Sequence, residues 1–244
     1  MKLACDYIGR RIFKKIYSGE TLEKHLSFIY DGYKLIEERD ALNSNTLVRS
    51  YVWQPEVLDR DVPLTVYDAV AEKTYYYHSD ANKNVTELSD ENGEVIAHYE
   101  YSPFGSLTKV TGNYAGNNPF RFSSEYFDEE TGLVYYNYRY YNPELGRWIS
   151  RDPIEEQGGY NLYSFINNNG IVFYDIHGLD TFSLDSVCSI RHDFYGGCRD
   201  SAEGGVLLSC LSYMERLSVC IYRIYEKLSS SSKNLRIWCF LPMF

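Results

Sequence analysis

The chain has 244 residues, enough for one large all-β domain or for a body with a small appendage. Its formal net charge of −10, from 24 Lys+Arg against 34 Asp+Glu, excludes a surface built to coat nucleic acid, which needs clustered basic side chains. No run approaches the roughly 18 consecutive apolar residues that span a bilayer, and the opening MKLAC has no apolar stretch behind it, so no signal peptide is expected.

From the N-terminus the chain reads as strands and tight turns. Tyrosine supplies 25 residues, clustered in runs such as KTYYYHS and LVYYNYRYYNPELGRW. A tyrosine suits a half-buried strand because its ring packs across neighbours while its hydroxyl finds a polar partner. Turn signals punctuate these runs at DENGE (90–94), DEETGL (128–133) and NPELG (142–146), where glycine takes the positive φ that a tight hairpin requires. The units also recur. DYIGRRIFKKIY (6–17), YDGYKLIEERD (30–40), YYYHSDANKNVTELSDENGEVIAHYEY (75–101) and YFDEETGLVYYNYRYYNPELGRW (126–148) vary one theme of Tyr-Asp, turn and strand. Imperfect repeats of this kind predict an antiparallel β-hairpin ribbon in which each unit is completed by its neighbours. The first unit starts in mid-motif, as expected for the last part of a longer protein.

The stretch RDPIEEQGGYNLYSFINNNGIVFYDIHGLD (151–180) follows, with Asp152 and Asp175 in turn-like settings 23 residues apart. Spacing alone favours a structural reading: Asp-Pro opens turns, and an aspartate such as Asp175 satisfies backbone N–H groups. The five histidines, His25, His78, His98, His177 and His192, lack metal-site spacing, and His177 reads as a solvated loop residue. No cofactor or metal is expected.

Near residue 180 the composition changes. Residues 1–179 carry 17 basic and 27 acidic side chains, whereas 180–244 carry seven of each and five of the six cysteines, Cys188, Cys198, Cys210, Cys220 and Cys239. Cys188, His192, Cys198 and Cys210 have zinc-ligand residue types without zinc-ligand spacing, so free or disulfide-bonded cysteines are the better reading. Leu207, Cys210, Met214, Leu217, Ile221, Ile224 and Leu228 recur at threes and fours, which predicts a helix over about 206–229 docked on the body.

The body resembles the RHS repeat-associated core domain, the C-terminal end of RHS/YD-repeat proteins. The resemblance rests on YYYHSDANKNVTELSDENGEVIAHYEYSPFG, on NNPFRFSSEYFDEETGLVYYNYRYYNPELGRWISRDPI, and on GGYNLYSFINNN and DIHGL, covering roughly residues 6–179. It implies a mainly β chain: a fragment of a spiral shell wall and its seal, with a small, partly helical tail. The corresponding division is 1–66 as degenerate repeats, 67–179 as the core and 180–244 as a variable extension.

The same resemblance implies polymorphic-toxin biology. Relatives enclose their own C-terminal tail as cargo, are secreted or envelope-associated, and several cut the tail free with a pair of aspartates. Carried over, the catalytic pair is Asp152 and Asp175, with Arg151 beside them, and the cut falls between Leu179 and Asp180. An immunity protein is the partner implied for such a tail. The family motif has proline where this chain has Ile176 and usually glycine where it has Glu155. Two other readings stand beside this one: a non-enzymatic remnant or surface repeat binding a partner or carbohydrate through its tyrosines, and a tail that itself acts as a toxin. A nuclease-type label is conceivable for that tail, although it is neutral, short and without a clustered His/Asp/Glu set.

Overall fold

The structure is a computed structural model that describes residues 1–55, 61–170, 173–179 and 181–183. All of these belong to the first of two compact units, Met1–Gly197. The helix expected over 206–229, the five C-terminal cysteines and Asp180 lie outside the described residues; Cys5 is exposed and free.

Ten strands form one antiparallel sheet in sequence order: β1 (Lys2–Cys5), β2 (Arg11–Ser18), β3 (Thr21–Asp31), β4 (Lys34–Asp40), β5 (Thr46–Trp53), β6 (Pro63–Asp68), β7 (Lys73–Ser79), β8 (Val85–Ser89), β9 (Val95–Tyr101) and β10 (Leu107–Thr111). The sheet is the ribbon that the repeats predict. Strand alternation sets its two faces: in β7, Tyr75 and Tyr77 are buried while Tyr76 between them is exposed.

The repeated aspartate explains the turns. Asp6 Oδ1 accepts from Ile8 N at 3.1 Å and Arg10 N at 2.9 Å. Asp80 repeats the arrangement with Asn82 and Asn84, and Asp90 with Asn92 and Glu94, all four at 2.9 Å. The carboxylate thus satisfies amides that the tightening chain removes from the ladder. Most strand pairs also carry a register shift, which increases local twist and bends the ribbon.

A second sheet of β11 (Tyr126–Asp128), β12 (Leu133–Tyr136), β13 (Arg139–Asn142) and β14 (Arg147–Trp148) packs against the buried face of the first. One ionic node ties them. Asp128 is fully buried and accepts from Arg11 Nη1 at 2.6 Å and from Lys14 Nζ at 2.7 Å. The Arg11 guanidinium lies over the rings of Tyr126, Tyr135 and Phe28 at 4.5, 4.6 and 4.9 Å. A buried carboxylate is tolerable only with such partners. Beyond this node, Phe122, Tyr136, Tyr141, Trp148 and Phe165 build a second core; stacked and edge-on pairs of this kind contribute about 0.5–1.5 kcal/mol each beyond burial.

The last described element is a hairpin of β15 (Phe173–Asp175) and β16 (Thr181–Ser183), with Asp175 opposite Thr181. The junction between residues 179 and 180 lies in its loop.

Candidate functional site

Strand alternation aims Arg139 inward. It starts β13, two residues before the buried Tyr141, and its side chain is 3% exposed. The guanidinium carbon sits 4.1 Å above the Trp148 ring, which holds the planar group in place. A cation so buried needs acceptors on every side, and the two aspartates provide them.

Asp152 lies just beyond β14, where Pro153 follows it, and its carboxylate closes the turn by accepting from Ile154 N at 3.0 Å. Its other oxygen accepts from Arg139 Nη1 at 2.6 Å. Asp175 ends β15 and is 2% exposed. Its Oδ1 accepts from His177 N at 3.1 Å, Gly178 N at 2.6 Å and Leu179 N at 3.3 Å, while Oδ2 lies 3.6 Å from Arg139 Nη2. Both aspartates therefore do cap turns, and they also converge on one guanidinium.

That guanidinium reaches the junction as well. Arg139 Nε donates to the Gly178 carbonyl at 2.5 Å, and Nη2 lies 3.4 Å from the Leu179 carbonyl oxygen. Arg151, the arginine that the family resemblance sets beside the pair, is exposed. Neighbouring residues of an extended segment point to opposite sides, so burying Asp152 turns Arg151 outward. The inward arginine comes from a different strand.

Burial pushes the Asp175 carboxyl up to about 6, against the opposing pull of its backbone hydrogen bonds and of Arg139. Two further groups line a small cavity on the other side of the turn, with Tyr33, Lys34, Trp53 and Asp61. Glu125 is raised well above the usual carboxyl range by desolvation, with Lys83 opposing. His177 is lowered by desolvation; it is not a solvated loop histidine, and its ring packs on Tyr33 with centroids 4.5 Å apart.

The two departures from the family motif have local explanations. The amides that Asp175 accepts are those of residues 177, 178 and 179, so isoleucine in place of proline at 176 leaves that set unchanged. Glu155 stands at φ 55°, in the left-handed region that glycine occupies without penalty. Glu155→Gly is expected to raise stability by about 0.5–1 kcal/mol, read as a shift in the urea midpoint at constant slope.

Gly178 is constrained by both its backbone conformation and its neighbours. It is buried at φ +78°, and a Cβ there would sit 2.9 Å from the Tyr136 carbonyl oxygen. Gly178→Ala is expected to cost about 1–2 kcal/mol and to displace the Leu179 carbonyl from Arg139, measurable by urea unfolding and by amide exchange over residues 175–181.

Among the described residues, no group of three or more His, Cys, Asp or Glu side chains is placed to hold a metal ion, and no helix is long and apolar enough to cross a membrane.

Comparison with known proteins agrees with this architecture. The profile of the Teneurin YD-shell family matches residues 6–172. The toxin protein Tse5 of Pseudomonas aeruginosa is 38% identical over 198 residues, covering 71% of this chain and 15% of its own length. The double-stranded DNA deaminase toxin A of Burkholderia cenocepacia is 30% identical over 188 residues, 68% of this chain and 13% of that protein. The tRNA nuclease WapA of Bacillus subtilis is 32% identical over 180 residues, 71% of this chain and 7% of that one. The chain thus spans a small part of each of these proteins. Among solved structures, the crystal structure of TcdB2-TccC3 superposes with a TM-score of 0.55 at 25% identity, over 70% of this chain and 9% of the other. With a family match over most of its length and an antiparallel ribbon of Tyr-Asp hairpins to carry it, the chain belongs to the RHS/YD-shell family.

Proposed function

We propose that this chain is the wall end and seal of an RHS toxin shell, and that it hydrolyses its own Leu179–Asp180 bond to free residues 180–244 as cargo. The observation that carries this reading is the convergence of Asp152, Asp175 and the Leu179 carbonyl on Arg139. Asp175 is the acid: with its pKa raised to about 6, it holds a proton through much of the mildly acidic range and can pass it to the departing nitrogen. Asp152 is the base that takes a proton from water as the water oxygen adds to the Leu179 carbonyl carbon. Arg139 Nη2 stabilises the negative charge that builds on the carbonyl oxygen. The C–N bond then breaks, leaving a carboxylate on Leu179 and an amine on Asp180. The 3.4 Å contact is long for a ground-state hydrogen bond and can shorten as the oxygen gains charge.

The division of labour follows. Residues before 180 form the wall and the cutting site, the extension is the product, and an upstream portion of the shell and an immunity protein are the partners of a full-length parent. The test is intact mass over days at 25 °C. The unsubstituted chain should yield a 65-residue C-terminal product. Asp152→Asn should slow its appearance at least about 100-fold, and equal rates in the two proteins would overturn the assignment.

A further inference from the structure

We propose that Tyr33 is a positioning residue for this cleavage, a clamp through which two hairpin turns of the wall hold the cutting loop in register. The inference rests on the self-cleavage reading and adds to it a residue far from the junction in sequence.

The contacts form one continuous path. In the wall, Arg10 Nη1 donates to the Gly32 carbonyl at 2.6 Å, and its Nε pairs with Asp6 at 2.8 Å, so the β1–β2 and β3–β4 turns are tied to each other. Tyr33 projects from the second of these turns, and its ring meets that of Tyr138 with centroids 5.9 Å apart. Its ring packs on His177, two residues before Leu179, with centroids 4.5 Å apart. Its hydroxyl is hydrogen-bonded to that of Tyr138.

Tyr138 immediately precedes Arg139, and its ring lies over Gly9, where an added Cβ would stand 3.6 Å away. Tyr138 N donates to the His177 carbonyl at 3.1 Å. Tyr33 therefore touches both halves of the site, the loop that carries the Leu179 carbonyl and the turn that carries Arg139. A displacement of about 1 Å at a reacting centre can cost about 100-fold in rate, and these contacts are what oppose it from the wall side. Tyr33 is only half-buried and Tyr138 is 38% exposed, so their side chains contribute little to the core.

The physical consequence is a dependence of cutting on the wall. A loop clamped by the β3–β4 turn is aligned only once that part of the ribbon has formed, so release waits for the wall to fold.

The experiment uses the full chain with Tyr33→Ala and Tyr33→Phe, at a temperature where melting curves show all forms fully folded. The release rate should fall about 100-fold in Tyr33→Ala. Tyr33→Phe keeps the ring contacts with His177 and Tyr138 and loses only the hydroxyl bond to Tyr138, so it should recover to within about tenfold of the unsubstituted chain. Release in Tyr33→Ala within twofold of the unsubstituted rate would overturn the clamp, as would a loss in Tyr33→Ala that Tyr33→Phe does not relieve. Amide exchange over residues 175–181 in an Asp152→Asn background separates the clamp from the chemistry. There Tyr33→Ala should exchange at least about tenfold faster than its Tyr33 parent while residues 85–101 stay unchanged; equal protection in the loop would overturn the clamp even if no form cleaves. Absence of cutting in every form with intact loop protection in the parent, lost in Tyr33→Ala, would sink the protease reading and leave the clamp standing.

Discussion

Replacing Arg139 by leucine is expected to lower the unfolding free energy by about 3–5 kcal/mol and to stop release of the C-terminal segment. The size follows from what the guanidinium leaves behind. Asp152 and Asp175 are 8% and 2% exposed, and both face the same cation. Without it, two buried carboxyl groups lose the cation they share, the situation in which removing one partner costs far more than the pair contributes. Against a typical total of about 5–15 kcal/mol, that loss puts the protein near its threshold. Arg139→Lys should recover only part of the stability, because a single ammonium cannot span acceptors that the guanidinium reaches with Nη1, Nη2 and Nε. Adding Asp152→Asn to Arg139→Leu should restore stability without restoring release. Urea unfolding of the unsubstituted chain, Arg139→Leu, Arg139→Lys, Asp152→Asn and the double variant checks this, and additive losses in the double variant would contradict it.

The second large effect belongs to Asp175. Its carboxyl titrates near 6 in the folded protein and near about 3.9 in the unfolded chain. The protonated form is the one that folding favours. The associated stability is therefore fully present below about pH 4 and is lost as the pH rises toward 6; the span corresponds to about 2–3 kcal/mol. Asp175→Asn removes this dependence. Asparagine keeps an oxygen for the amides of His177, Gly178 and Leu179 and carries no charge to bury. Relative to the unsubstituted protein, the variant should gain about 2–3 kcal/mol between pH 4 and pH 7. Arg139 also faces Asp175, and Glu125 is close enough to feel its charge, so the transition will be broader than that of an isolated acid.

Release should disappear in the same variant, and in the unsubstituted protein it should slow about tenfold per pH unit above 6 as the proton on Asp175 is lost. Denaturation midpoints and release rates from pH 4 to 8 check both halves. A stability difference that is flat with pH would remove Asp175 as the buried acid.

Much of the fold was legible in the sequence because its signals are local. Aspartate-led turns between tyrosine-rich strands specify hairpins, and the aspartates at 6, 80 and 90 cap them with the same pattern of bonds, Lys83 standing where the turns at 6 and 90 have glycine. Consecutive hairpins then need no long-range information to pair in sequence order. Asp152, Asp175, Gly178 and the 179–180 junction could likewise be picked out from one continuous stretch and its likeness to a family.

Arg139 could not be found that way, since it lies 13 residues before Asp152 in a segment that reads as one more tyrosine strand. The available signal was alternation: in NYRYYN, the buried Tyr141 places residue 139 on the same inward face, and an inward charge demands partners. The resemblance points to Arg151, next to Asp152, but adjacency in an extended chain separates side chains rather than joining them. Tyr33 had no local signal at all. Only the packing of the wall turns beside the β12–β13 turn brings it to His177.

The central claim is that one guanidinium gathers two acids around a single peptide bond so that water can cut it. Folding the full chain in water enriched in ¹⁸O and weighing the fragments tests it most directly. The account predicts a fragment of residues 1–179 carrying one ¹⁸O atom in its new terminal carboxylate and an unlabelled 180–244 partner. A chain that stays whole when fully folded near pH 6, or a cut at any other bond, would contradict it.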